Sequence, residues 1–141
     1  MPDKLFALAE KENILVGFFD LPWGILGAYY YIEPDPPVIL LHKEIRDNRR
    51  LLRCIFAEEL GHYFTTMHDL LAFARTHKHA ATKYENIAQW WATQYLVPLN
   101  RLKEAVSSGV TTTYDLAEYF DVTERFMGTS LRLYREKSVQ F

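Results

Sequence analysis

The chain has 141 residues, 49% of them apolar and 15% aromatic, which supplies one sizeable core and excludes a disordered chain. Its 16 basic and 18 acidic side chains leave a formal charge of -2 with no basic stripe, so nucleic acid is not the default partner. The one cysteine, Cys54, excludes an internal disulfide and suits a reducing compartment.

No run of 18 apolar residues is present, and the opening Met-Pro-Asp-Lys is not followed by the apolar stretch of a signal peptide. The expectation is a cytoplasmic protein with one domain over 1–141 and no membrane partner. Leu5, Phe6, Leu8 and Ala9 recur at helical spacing and predict a helix over 3–12, closed by Asn13. "ILVGFF" (14–19), the aromatic "ILGAYYYI" (25–32) and "VILLH" (38–42) predict three strands. "DLPWG" and the proline-rich "EPDPP" form the links between them, because proline removes donors and fixes φ. Two hairpin-like links imply a small antiparallel sheet.

Beyond the third strand the pattern turns helical. Asp47 is placed to cap a helix running to about Tyr63. Residues 66–82 hold His68, His77 and His79 in a polar, partly helical connection. A helix over 82–96 follows, and Pro98 ends it or starts the next, 99–106, which Gly109 stops. Residues 111–120 and 123–137 make a closing helix pair within 111–137, with Thr113 and Thr123 as caps. Strands first and helices after predict an α+β fold: a small N-terminal antiparallel sheet and a mostly helical remainder.

The chemistry concentrates in "AEELGHYFTT" (57–66). Residues four apart lie on one helix face, so Glu58 and His62 point the same way. The pair stands where the zinc-peptidase motif H-E-x-x-H carries two histidines. Glu59 then takes the place of the carboxylate that reaches an attacking water, and Gly61 supplies a small neighbour. Carboxylate oxygen binds zinc at nearly the imidazole distance, so Glu58 does not abolish binding. It does lower the charge of the centre, which predicts weaker metal selectivity, with Mn²⁺ or Mg²⁺ admitted, and slower chemistry than two histidines give. Taken alone, a Glu-Glu-x-x-His helix is also what a solvated charged face looks like.

Two residues compete as a third ligand. His68 lies six residues after His62, but Thr65 occupies the place where a glycine would let the chain turn. Glu85 heads a stripe of Ala88, Trp91, Ala92 and Tyr95 and is expected to face the core, where a carboxylate needs a cation. It also fits the first helical turn, where acids are favoured. Cys54 lies one turn before Glu58 and reads as a buried thiol, and Asp69 is a candidate to orient His62. Trp91 reads as core, and Trp90 as partly exposed.

"AEELGHYFTT" followed by "ENIAQWWATQYLVP" (85–98) resembles the ImmA/IrrE family of metallo-endopeptidases. That family pairs an H-E-x-x-H helix with a stretch like E-x-x-A-x-x-F-A-x-x-x-L-x-P. Here Glu85, Ala88, Trp91, Ala92, Leu96 and Pro98 fall at those places, with tryptophan for phenylalanine. "LAEKENILV", "PPVILLHKEI" and "DLAEYFDVTERFMGTSLRLY" extend the resemblance over nearly the whole chain. It implies a zincin-like helix, zinc held by Glu58, His62 and Glu85, and Glu59 as catalytic base. Members from phages and mobile elements cleave a repressor protein, which is the partner the resemblance implies.

If the site is active, the strand at 38–42 is expected to offer its edge to an extended substrate, with His42, Tyr84 or Tyr95 near the oxyanion. Two rival readings accompany this one. A non-catalytic anti-repressor would keep the fold and bind the repressor without cutting it, a reading supported by Glu58. A helix-turn-helix DNA-binding protein would use 111–137, whose second helix carries Arg125, Arg132 and Arg135 but begins with Glu124 and is poor in base-reading residues.

Overall fold

The computed structural model describes residues 3–65 and 78–141. The first helix, α1 (Asp3–Lys11), leads into β1 (Leu15–Phe19), β2 (Gly27–Tyr30) and β3 (Val38–His42). After a short helical turn come α2 (Arg49–Thr65), α3 (Lys78–Leu96), α4 (Leu99–Ser107), α5 (Thr113–Phe120) and α6 (Glu124–Glu136). The fold is α+β, as the order of patterns implies. His68, Asp69 and His77, with the side chain of His79, lie outside the described residues.

The sheet is mixed rather than antiparallel. Its order is β1-β3-β2. β3 runs parallel to β1, with Leu15 opposite Val38, and antiparallel to β2, with Gly27 opposite Leu41. Both links, 20–26 and 31–37, are far longer than a two-residue hairpin turn, so neither forces neighbouring strands to pair in sequence order. β3 takes the centre, burying Ile39 and Leu41. The strand at 38–42 therefore has no open edge, which corrects the expectation that it receives a substrate. The edge strand packed against α2 is β2.

One device ends four of the helices. A residue in the left-handed region follows the last turn, at Asn13, Gly109, Asp121 and Ser138. In each case the next amide reaches back five residues, as in Ile14 N to Ala9 O at 2.9 Å and Val122 N to Ala117 O at 3.0 Å. This satisfies carbonyls that the helix end would otherwise strand. The starts are capped by side chains. Asn48 Oδ1 accepts from Leu51 N at 3.3 Å, so Asn48 and not Asp47 caps α2. Thr112 rather than Thr113 caps α5, and Thr123 caps α6 as its sequence suggests.

Helix α2 is the centre of the packing. Leu52, Phe56, Ala57 and Leu60 are buried between the sheet, α1 and α3. Its closest neighbour is α3, and Gly61 sets how close. A Cβ on Gly61 would stand 2.4 Å from the Ala88 carbonyl oxygen, so only glycine admits the α3 backbone here. Farther along, α3 joins α6 through a buried hydrogen bond between the Thr93 and Ser130 hydroxyls at 2.9 Å. Trp91 is partly buried in a stack between Phe64 and Tyr95, with centroids 5.0 and 5.2 Å away. Trp90 packs edge-on against Tyr134 beneath Lys137.

Candidate functional site

A cavity of about 700 Å³ opens between the start of β2, the middle of α2, the first half of α3 and the first turns of α6. Glu58, Glu59, His62 and Glu85 all line it. Helical spacing brings the first three to one side, and the close approach at Gly61 and Ala88 brings in the fourth, one turn before Ala88. His62 Nε2 stands 3.2 Å from Glu85 Oε1.

The environments of this pair are unequal. The His62 side chain is 5% exposed, whereas that of Glu85 is 61% exposed. Glu85 thus sits on the rim of the cavity, not in the core as the apolar stripe below it suggests. The difference arises because α3 dips into the core only from Ala88 onward. Burial pushes the imidazole toward neutrality, but the hydrogen bond to Glu85 and the charges of Glu59, Glu85 and Glu58 outweigh it and raise the pKa of His62. Glu58 is raised to about 7, first by burial and then by the charges of Glu59 and Glu85, with His62 and Arg125 opposing. Three carboxyl groups and one imidazole thus share the cavity, with Arg125 the positive charge that acts on Glu58 among the described residues.

That donor chemistry suits a cation. Two donors bonded to one zinc ion at about 2.0–2.1 Å in a tetrahedral set stand about 3.3 Å apart, close to the spacing of His62 and Glu85. Glu58 shares the cavity without being drawn into a tight cluster. As the side chains stand, no three His, Cys, Asp or Glu among the described residues are grouped closely enough to hold a metal ion. The other ring nitrogen of His62, Nδ1, is buried and has no hydrogen-bond partner among the described residues. A histidine that holds a metal ordinarily secures this nitrogen with an acceptor.

Other predicted residues sort by position. Tyr84 lines the cavity, whereas His42 and Tyr95 do not. His42 Nδ1 accepts from Glu44 N at 3.0 Å and so caps a turn, and Tyr95 belongs to the aromatic stack. Cys54 is buried as expected, with Thr123 Oγ1 3.9 Å from its sulfur, and burial pushes its thiol up to about 11. Sequence reasoning missed Gly27. A Cβ there would stand 2.6 Å from Ile55 Cγ2 and 3.2 Å from Glu59 Oε2. The bare backbone of the edge strand therefore lies directly beside the Glu59 carboxylate. A glycine opening a strand of bulky residues was the signal available.

The fold and its cavity define a class: an α+β protein in which a Glu-Glu-x-x-His helix is held between a small mixed sheet and a second helix that brings another glutamate. The family model for the IrrE N-terminal-like domain, peptidase family M78, matches residues 9–132, and the chain belongs to that family. The membership bears out the resemblance read from the two motifs, and it assigns the chain to a metallopeptidase-like class. Neither a curated protein nor a solved structure matches the chain. Among the described residues no helix is long and apolar enough to cross a membrane.

Proposed function

We propose that this protein is a metal-dependent endopeptidase acting on a protein substrate of the repressor type, with Glu58, His62 and Glu85 as the metal-holding residues and Glu59 as the base. The observation that carries the reading is the 3.2 Å approach of His62 and Glu85 within a cavity that Glu58 and Glu59 also line. Zinc is the ion the histidine favours, and the oxygen-rich set also admits manganese. A divalent cation held there supplies Lewis acidity toward a carbonyl and makes a water easier to deprotonate.

The remaining work falls to the chain. Glu59 takes a proton from the attacking water and later returns it to the leaving amine. The edge of β2 receives an extended peptide through main-chain hydrogen bonds, and Gly27 keeps that edge clear beside Glu59. Tyr84 is the oxyanion candidate that lines the cavity.

A second reading, docking on a repressor without cutting it, draws support from the absence of a tight donor cluster among the described residues. One experiment separates the two. The untagged protein, supplied with zinc, is incubated with a degenerate peptide library and with candidate repressors, and new termini are read by mass spectrometry. Cleavage by the native chain and its loss by about 10²–10⁴-fold in Glu59→Gln is the expected result. Equal cleavage by both proteins overturns the role of Glu59, and binding without cleavage by the native chain favours the docking reading.

The helix pair α5–α6 serves packing and the cavity rather than a DNA-binding role in this reading. Its second helix buries Phe126, Met127, Ser130, Leu131, Leu133 and Tyr134, and its first turns form a wall of the cavity.

A further inference from the structure

The cavity is electrically lopsided. Its α2 and α3 residues contribute Glu58, Glu59 and Glu85, and the first turn of α6 contributes Arg125, whose charge reaches Glu58 and opposes the rise of its pKa. Arg125 is the one lysine or arginine among the described residues that line the cavity. Its side chain makes no ion pair within 4 Å among the described residues. Arg49, Arg50 and Arg53, which reach the α5–α6 corner, are already committed to Asp121. Arg125 follows Thr123, the cap of α6, so the positive end of a 13-residue helix adds to the charge of its guanidinium at this wall.

Resting on the peptidase reading above, we infer that Arg125 is a specificity-determining residue that selects substrates carrying a carboxylate, held at the α6 wall. The guanidinium offers a planar pair of donors matched to a carboxylate. The carboxyl groups of Glu59 and Glu85 in the same cavity repel such a group, so an acidic substrate is favoured beside Arg125 and disfavoured beside them. The two walls together give an extended peptide on β2 a preferred direction. The carboxylate belongs either to an Asp or Glu side chain or to the free C-terminus of the peptide, because both offer the same fork to the arginine.

The test reads binding, using the full chain with Glu59→Gln and zinc present so that bound peptide is not consumed. The probes are four pools of degenerate N-acetylated octapeptides. Three end in an amide and carry one Asp or Glu, one Lys, or no charge, and the fourth is neutral with a free C-terminal carboxylate. At least one carboxylate pool is expected to bind about tenfold tighter than the neutral amide pool. The amide pool with Asp or Glu identifies a side-chain carboxylate, and the fourth pool identifies the C-terminus.

Arg125→Gln is expected to bring the carboxylate preference to within about twofold, Arg125→Lys to restore part of it, and Arg125→Glu to favour the Lys pool. Arg125 is exposed in the first turn of α6, and circular dichroism checks that each variant remains folded. Equal binding of all pools, or a carboxylate preference that survives Arg125→Gln, overturns the inference while leaving the peptidase reading intact. Failure of every pool to bind overturns both.

Discussion

Gly61 packs directly against the carbonyl of Ala88, and a single methyl group at position 61 would stand 2.4 Å from that oxygen. The contact sets the separation of α2 and α3, and with it the reach of Glu85 to His62, because Glu85 lies one turn before Ala88. Gly61→Ala is expected to cost about 1–3 kcal/mol of stability despite the better helix propensity of alanine. It should also weaken zinc binding, since the helices must part. Chemical denaturation and a chelator competition titration check the two effects. Unchanged stability would show that α3 is free to shift.

The donor set makes a prediction about the metal. Glu58→His replaces a carboxylate in a crowd of carboxylates with a neutral imidazole and relieves the repulsion that, after burial, adds to the rise of Glu58 to about 7. Zinc should bind tighter by on the order of tenfold and manganese relatively less well. Glu85→Ala should lose most of the zinc affinity. Elemental analysis of untagged protein, followed by competition with a zinc dye, measures both. An unchanged zinc affinity in Glu58→His would remove Glu58 from the ligand set.

Asp121 gives a pH prediction away from the site. Its burial pushes the carboxyl up, but the hydrogen bond and charge of Arg49, with Arg50 and Arg53 behind it, prevail and lower its pKa. Arg49 Nη2 and Arg50 Nε donate to its Oδ1 at 2.6 and 3.2 Å, and both side chains are partly in water, which screens them. A lowered folded-state value means that the stabilisation is complete above the ordinary aspartate range near 4. It is lost as the pH falls through the folded value. Asp121→Asn keeps a residue tolerated in the left-handed region and should cost about 1–2 kcal/mol at pH 7. The gap should narrow below about pH 4. Urea melts of both proteins across this range check it, and a gap independent of pH would assign the cost to packing.

Thr93 and Ser130 predict a coupling. Each hydroxyl is fully buried, and each is the other's partner between α3 and α6. Thr93→Val leaves the serine hydroxyl unpaired and should cost about 1–2 kcal/mol. Thr93→Val with Ser130→Ala should cost clearly less than the sum of the single changes. A double-mutant cycle by thermal or chemical denaturation reads the difference directly, and simple additivity would contradict the bond.

Features written in a few consecutive residues were legible before any coordinates. Asn13 and Gly109 end helices, Thr123 caps one, and Glu58, Glu59 and His62 share a cavity because four-residue spacing is a local rule. Features decided between distant segments were not. The central place of β3 depends on which strand the others pair with, and the links are too long to dictate it. Glu85 was expected in the core because Ala88 and Ala92 below it are buried, yet helix α3 enters the core only after it has passed Glu85. Arg125 was weighed only as one of three positive charges on a closing helix. Its place in the cavity with the carboxylates follows from how α6 packs in the fold, which no spacing along the chain encodes.

Helix α2 carries Glu58, Glu59 and His62 on one face while its other faces bury Leu52, Phe56 and Leu60 beneath the sheet and α1. The chemistry therefore has no hinge of its own. Amide hydrogens along the middle of this helix should exchange only when the whole molecule opens, and a bound ion there would slow the exchange of the sheet as much as that of the helix.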